Sequence, residues 1–140
     1  ALPILLKKSL PLTGTGDETR DFTYVLDLVQ GLLKAAFYEE AIGEAFNLAS
    51  GRETKIKDMI AMVNHSTCNS KPITQFPPRK WDTKKRLLAS IELAGKLIDY
   101  NPIISFDDGL SENFKWFSNN WAKVQLSADF PAGMSSAVRK

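Results

Sequence analysis

The stretch that decides the fold of this chain is Gly14-Thr15-Gly16-Asp17-Glu18-Thr19-Arg20-Asp21-Phe22-Thr23-Tyr24-Val25-Leu26-Asp27. It places Arg20 between a glycine turn and the start of an amphipathic helix. Two core-facing residues beside it, Phe22 and Val25, would hold the guanidinium near an apolar wall, where a bidentate contact to a phosphate is strengthened. The alternative is an ion pair with Asp21 or Asp27. The residues alone leave these two interpretations about even.

The two glycines of this stretch raise the question of a phosphate-binding loop of the dinucleotide type. Such a loop needs a third glycine, a preceding hydrophobic strand and an acidic residue about 20 residues further on. The third glycine is replaced by Thr19, and no strand of that kind precedes the turn. We therefore interpret Gly14 and Gly16 as a turn that shapes the approach of Arg20.

Hydrophobic periodicity predicts a mainly helical chain. From Val25 onwards, apolar residues recur at the spacing of one helix face, at Val25, Leu28, Val29, Leu32, Leu33 and Ala36. A second helix is predicted behind a cap at Thr54, with an apolar side of Ile56, Met59, Ile60 and Val63. Ser90 is predicted to cap a third, with an inner face of Ile91, Ala94, Leu97 and Ile98. A capping box of Ser105 and Asp108 opens a fourth, with an apolar side of Leu110, Phe114, Phe117 and Trp121.

A few short strands accompany the predicted helices. Residues 44–49 alternate in polarity and end at Ser50-Gly51, which predicts a strand that closes on a glycine turn. Pro72, Pro77 and Pro78 then punctuate an extended segment. Because strands this short rarely form a stable sheet by themselves, we expect them to pair with something outside this chain.

Length and charge narrow the class of protein. The 140 residues suit one domain and are few for a cofactor domain plus a substrate domain. Eighteen basic against sixteen acidic side chains give a net charge of +2, far from the excess that nucleic-acid binding favours. No apolar stretch approaches the roughly 18 residues that cross a bilayer. The single cysteine, Cys68, cannot form an internal disulfide, so we predict a cytoplasmic protein without nucleic-acid or membrane partners.

Arg79 and Asp82 form a second candidate binding motif. They follow Pro77-Pro78, a rigid lead-in that fixes the approach of the chain. An arginine matches a phosphate and a carboxylate accepts from a ribose hydroxyl, so the pair can hold two parts of a nucleotide. The alternative is a solvated basic segment, which the residues alone favour because of the nearby Lys80, Lys84, Lys85 and Arg86.

The single histidine and the single cysteine offer little for metal binding or catalysis. His65 and Cys68 lie on a polar segment, and two candidate ligands are too few for a zinc site. No third group marks a catalytic Cys–His pair there. We predict a surface histidine, a half-buried thiol, no metal site and no catalytic residue.

Several motifs, taken in order, resemble those of one enzyme family. They are Leu10-Pro11-Leu12-Thr13-Gly14, Thr19-Arg20-Asp21-Phe22-x-Tyr24-Val25-x-Asp27, Phe46-Asn47-Leu48-Ala49-Ser50-Gly51 and Arg79-x-x-Asp82. From about Leu2 to Trp121 the chain is similar to the C-terminal, substrate-binding domain of the extended short-chain dehydrogenase/reductases, the NAD-dependent nucleotide-sugar epimerases and dehydratases. The resemblance implies an α/β fold class of which this chain is an α+β fragment: a mainly helical small domain with a few short strands, lacking the Rossmann domain.

The resemblance also implies a ligand, a nucleotide-sugar with a uridine or thymidine diphosphate. The implied contacts are those of Arg20 and Arg79 with the diphosphate, Asp82 with a ribose hydroxyl, and the backbone near Leu12 and Thr13 with the base. The nucleotide-sugar-binding domain would span residues 1–126, with a flexible tail over residues 127–140. The chain begins without a methionine, as if it started inside a longer protein.

The residues that would perform the family's chemistry are not found in this sequence. The family has a cofactor domain with a Tyr-x-x-x-Lys pair, whereas the fourth residues after Tyr24, Tyr38 and Tyr100 are Leu28, Ile42 and Ile104. The resemblance therefore implies NAD in the parent enzyme, no cofactor bound by this chain, and no activity from this chain alone. We expect a Rossmann partner domain in the same or another chain, and self-association into a homo-oligomer. The competing interpretation is a non-catalytic interaction module that keeps the fold without the ligand.

Overall fold

A computed structural model describes residues 8–127 of the chain. Within them lie four three-residue strands, β1 (Pro11–Thr13), β2 (Thr19–Asp21), β3 (Glu53–Lys55) and β4 (Thr74–Phe76). The same residues form four α-helices and one 3-10 turn, namely α1 (Val25–Phe37), the turn Glu39–Ala41, α2 (Ile56–Ser66), α3 (Glu92–Ile98) and α4 (Phe106–Ser127). The prediction of a mainly helical chain with a few short strands is confirmed. Ser127, the first residue of the predicted tail, is the last residue of α4, and residues 128–140 lie outside the described residues.

The strands pair in twos. β1 runs parallel to β4, with Leu12 opposite Gln75, and β2 runs antiparallel to β3, with Arg20 opposite Thr54. On β2, Thr19 also forms an isolated parallel bridge with Arg86. We expected strand partners outside the chain, and for these four strands that was wrong. All four find partners within it, and for β1 the packing of Leu12 against α2 fixes the position of the strand.

Two apolar clusters stabilise this arrangement. The first joins β1 to α2 through the buried residues Leu10, Leu12, Ile60 and Val63, with Leu110 of α4 packed against them. The second is built on the buried residues Ala94, Ile98 and Tyr100. Partly buried apolar residues pack against these three, among them Ala35 of α1 and Leu48. The Tyr100 hydroxyl donates a hydrogen bond to the Ala49 carbonyl oxygen at 3.1 Å. Burial raises the pKa of that hydroxyl, and the nearby carboxylates of Asp27 and Asp21 add to the effect, so Tyr100 stays a structural donor at neutral pH.

Helix α1 begins at Val25 as predicted, but its apolar stripe does not face the core. The stripe is exposed at Val25 (57%), Leu32 (56%) and Leu33 (56%), so the prediction that Val25 faces the core was wrong. The inner side of α1 instead presents Asp27 and Gly31, both buried. Periodicity identifies residues that share a helix face and does not identify what that face meets. We call this exposed surface the α1 apolar face and define it as Val25, Val29, Leu32, Leu33 and Phe37.

The prediction of a strand at residues 44–49 was also wrong. That segment is irregular, and the strand of this region is β3, where Thr54 pairs with Arg20. Thr54 therefore does not cap α2, which begins two residues later after Lys55 without a side-chain cap. An alternating pattern predicts a strand only where a neighbouring edge can complete its hydrogen bonds, and here β2 supplies that edge to Glu53–Lys55.

The third and fourth helices follow their predicted signals more closely. Asp108 donates its backbone N–H to Ser105 Oγ at 3.1 Å, as expected of the capping box that opens α4. Helix α3 buries the predicted Ala94 and Ile98, but it begins after Ile91, and Ser90 contributes only a 3.5 Å contact from its Oγ to the Glu92 N–H. Within the described range no helix is both long and apolar enough to cross a bilayer.

Two glycines inside helices predict opposite effects of the same substitution. A Cβ added at Gly31 of α1 would lie 2.7 Å from Leu48 Cδ2 and 2.8 Å from the Tyr100 ring, whereas one at Gly95 of α3 would meet its nearest neighbour at 3.6 Å. Gly31→Ala should therefore lower the free energy of unfolding by about 1–3 kcal/mol through overpacking, outweighing the gain in helix propensity. Gly95→Ala should raise it by up to about 1 kcal/mol.

Urea denaturation followed by circular dichroism measures both variants under the same conditions. An equal gain in stability from the two alanines would contradict the close approach of α1 to Tyr100.

Candidate functional site

A cavity of about 400 Å³ opens between β1, α2 and the segment that follows β4. All five residues for which a binding role was predicted line it, namely Leu12, Thr13, Arg20, Arg79 and Asp82. They come from three parts of the chain that are far apart in sequence: β1, β2 and the loop after β4. The pairing of β1 with β4 brings the first and third of these parts to one side of the molecule.

The cavity has an apolar wall and a polar rim. The wall is formed mostly by α2 and the residue before β1, through Leu10, Ile56, Met59, Ile60 and Val63. The rim carries two guanidinium groups, from Arg20 and Arg79, and two carboxylates, from Glu18 and Asp82. Such a site suits a ligand with an anionic part, hydroxyl groups and a flat apolar part.

Sequence reasoning missed the α2 wall and Glu18. The α2 residues were predicted only as the apolar side of a helix, whereas Ile56 and Met59 are half-buried and also line the cavity. Glu18 belongs to the glycine turn and had no signal of its own. One of its carboxylate oxygens accepts the Gly16 N–H at 3.0 Å, which directs the side chain across the turn.

Arg20 does not form the ion pair that was its alternative interpretation. Its Nη1 donates to the Thr19 carbonyl oxygen at 2.7 Å, and no ion pair of Arg20 occurs within residues 8–127. Asp21 accepts hydrogen bonds from the backbone at Ser50, and Asp27 accepts them from Ile104. Half-buried Arg20 therefore lines the cavity with a guanidinium that is paired with neither Asp21 nor Asp27.

Arg79 and Asp82 are paired with each other. Arg79 Nε lies 3.6 Å from Asp82 Oδ2, and the Asp82 N–H donates to the Arg79 carbonyl oxygen at 3.0 Å, so the two residues close a short turn. Their side chains are 46% and 38% exposed. An exposed pair at this distance is weak, so a phosphate can compete with Asp82 for the guanidinium.

The glycine turn does not have the geometry of a dinucleotide-binding loop. Gly14 and Gly16 both adopt a φ of +80°, a conformation that favours glycine. The turn leads into strand β2, whereas a dinucleotide loop leads into the N-terminus of a helix whose amides receive the phosphates. The Gly16 amide is already bonded to Glu18. This turn therefore does not fit NAD.

The segment with the histidine and the cysteine forms the end of α2 and the turn after it. His65 is on the surface as predicted, but Cys68 is exposed rather than half-buried, and its φ of +49° places it in the turn that ends the helix. Across the part of the chain that the structure describes, no group of three His, Cys, Asp or Glu side chains could hold a metal ion.

The sequence and the fold both match known proteins. Residues 2–49 match the model of the NAD dependent epimerase/dehydratase family. The epimerase Mth375 of Methanothermobacter thermautotrophicus is 43% identical, with a TM-score of 0.87 over 90% of this chain and 38% of that protein. The enzyme WbmF of Bordetella bronchiseptica, solved with NADH, is 34% identical, with a TM-score of 0.76 over 89% of this chain and 36% of that protein.

A curated relative matches along nearly the whole sequence. The UDP-glucuronic acid decarboxylase 1 of Danio rerio is 30% identical over 139 residues, which are 99% of this chain and 32% of that enzyme. The chain thus spans about a third of the length of the relatives that it matches. In sequence and in fold, the chain matches about a third of the length of enzymes of the NAD-dependent epimerase/dehydratase family.

Proposed function

We propose that this chain is the nucleotide-sugar-binding part of an NAD-dependent epimerase or a related sugar-modifying enzyme. The observation that carries the proposal is the convergence of Arg20, Arg79 and Asp82 on one cavity, from segments that are not adjacent in sequence. Two guanidinium groups and a carboxylate on the rim of an apolar cavity match the diphosphate and the ribose of a nucleotide. The nucleotide-sugar-binding domain then covers residues 1–126.

Each rim residue has a role in this proposal. The guanidinium groups of Arg20 and Arg79 donate to the diphosphate oxygens, and Asp82 accepts from a ribose hydroxyl once the phosphate has drawn Arg79 away from it. The backbone at Leu12 and Thr13 meets the base, which lies along the apolar wall of α2.

The relatives favour a uridine nucleotide. WbmF has been solved with NAD+ and UDP, and the UDP-glucose 4-epimerase of Thermotoga maritima, 25% identical with a TM-score of 0.79, has been solved with UDP-glucose. We therefore propose a UDP-sugar as the substrate of the complete enzyme, with a thymidine diphosphate sugar as the second choice. NAD would be its cofactor.

The position of the cofactor domain is suggested by the α1 apolar face. Contiguous exposed apolar surface of this kind is uncommon on a protein that works alone, and it marks a surface that another domain or subunit covers. The relatives carry about two thirds of their length outside the matched region. We propose that a Rossmann domain, in the same or another chain, packs on the α1 apolar face and supplies NAD and the groups for hydride and proton transfer.

The diphosphate contacts predict the effect of three substitutions on the binding of UDP. Arg20→Ala and Arg79→Ala should each weaken binding by about 1.5–3 kcal/mol, the usual worth of a charge-assisted contact. Lys84→Ala removes an exposed positive charge from the same segment without touching the cavity and should change the affinity little. Isothermal titration calorimetry of the chain with UDP measures all three.

Equal small losses at the three positions would indicate a diffuse basic surface and contradict a specific diphosphate site. A folded chain that binds no UDP would favour the non-catalytic interaction module.

The α1 apolar face predicts self-association of the isolated chain. Sedimentation over a concentration series should show a mass above that of the monomer, and a Leu32→Gln/Leu33→Gln variant should shift it towards the monomer because both side chains are more than half exposed on this face. Ile103→Gln is the control, since Ile103 lies outside α1 and is at least as exposed as Leu32 and Leu33.

A separately expressed cofactor domain from a relative tests the identity of the covering partner. It should raise the melting temperature of the wild-type chain by mass action, and raise that of the double variant less. A stable wild-type monomer that turns over a UDP-sugar unaided would contradict the proposal.

A further inference from the structure

A three-residue polar cluster lies beside the cavity without lining it. Glu53 accepts two hydrogen bonds from Arg86, from Nε at 2.8 Å and from Nη2 at 2.9 Å, in a bidentate arrangement. Thr19 donates its hydroxyl to the same carboxylate at 2.6 Å. We call this cluster the Glu53–Arg86 clamp.

The clamp joins three segments side by side. Glu53 starts β3, which pairs with β2 along one edge. The segment that contains Arg86 pairs with β2 as well, because the Thr19 N–H donates to the Lys85 carbonyl oxygen at 2.9 Å and the Leu87 N–H donates to the Thr19 carbonyl oxygen at 3.2 Å. The side chains of Glu53 and Arg86 thus reach across β2 and hold both neighbours to it.

The loop that carries Arg79 and Asp82 depends on contacts at its two ends. Every residue from 70 to 88 is exposed, so apolar burial does little to fix the position of the loop. At one end, the Gly14 N–H donates to the Phe76 carbonyl oxygen at 3.0 Å as β4 pairs with β1. At the other end lie the pairing with Thr19 and the clamp. Arg20 is the residue next to Thr19, so the same contacts fix both sides of the cavity rim.

We propose that Glu53 and Arg86 are positioning residues, which set the separation between Arg20 on β2 and Arg79 with Asp82 on the loop so that the two arginines can hold one diphosphate. This inference rests on the proposed function. Neither residue lines the cavity, so neither is expected to touch the ligand.

The charges of the clamp are firmly set at neutral pH. The bidentate hydrogen bonds from Arg86, followed by the hydroxyl of Thr19, lower the pKa of the Glu53 carboxyl. The same hydrogen bonds raise the pKa of the Arg86 guanidinium. Both side chains are therefore ionised in the pH range where a diphosphate carries its full charge.

A charge-neutralising substitution of Glu53 separates positioning from simple electrostatics. Glu53→Gln removes a negative charge near an anion site, so electrostatics alone predicts tighter binding of UDP. Positioning predicts the opposite: weaker binding by about tenfold, the low end of the loss known for residues that orient the ligands of a metal ion. Arg86→Gln should weaken binding to a similar extent, and Arg86→Lys should fall between, because lysine keeps the charge without the bidentate geometry.

The matched control is Lys115→Gln, which breaks an exposed ion pair of α4 in which Lys115 Nζ lies 2.7 Å from Glu112 Oε1. It should leave the affinity for UDP unchanged. Circular dichroism checks that each variant is folded. Hydrogen–deuterium exchange of the Thr19 and Leu87 amides gives a readout without ligand, and both amides should exchange faster in Glu53→Gln and Arg86→Gln than in the wild type.

Weaker UDP binding in both variants, together with faster exchange at Thr19 and Leu87, supports the proposal. Unchanged or tighter binding by Glu53→Gln, in a wild type that does bind UDP, overturns the clamp while leaving the proposed function intact. Unchanged exchange at both amides overturns it as well. A wild-type chain that binds no UDP overturns the proposed function and the positioning role together.

Discussion

The arrangement of the irregular segments depends on the hydrogen bonds that the carboxylate of Asp21 accepts. It accepts hydrogen bonds from the Ser50 N–H at 2.9 Å, the Ser50 hydroxyl, the Gly51 N–H at 3.0 Å and the Ala89 N–H at 3.4 Å. These donors lie far from β2 in sequence, and none of the three residues belongs to a strand whose ladder would satisfy its amide. One acceptor group therefore fixes where the chain enters β3 and where it leaves the segment that carries Arg86.

A second carboxylate of the same stretch, that of Asp27, also accepts hydrogen bonds from backbone amides. Asp27, buried on the inner side of α1, accepts the N–H groups of Ile103 and Ile104 just before α4 begins. The two aspartates that could have paired with Arg20 are thus occupied with backbone amides. One short stretch of sequence thus organises the fold through its two aspartates, while the Arg20 guanidinium pairs with neither of them.

The sequence predicted the helices, and the motifs that meet at the cavity, better than it predicted the surroundings of either. The start of α1 and the cap at Ser105 follow from local rules, since side-chain spacing and hydrogen bonds within one turn decide them. The orientation of α1 could not be predicted, because it depends on the fit of Gly31 against Tyr100. Arg20, Arg79 and Asp82 were predicted from motifs, but their distances depend on strand pairs between remote segments, which no local pattern encodes.

The parallel pairing of β1 with β4 has a consequence for the order in which the molecule folds. Gln75 donates its side-chain amide to the Gly14 carbonyl oxygen across 61 positions of sequence, and each partner strand has only three residues. Closing so long a loop costs chain entropy before the few contacts made can repay it, whereas α2 and α4 form from local contacts. We therefore expect the helices to assemble early and the cavity to take its shape in the last steps of folding.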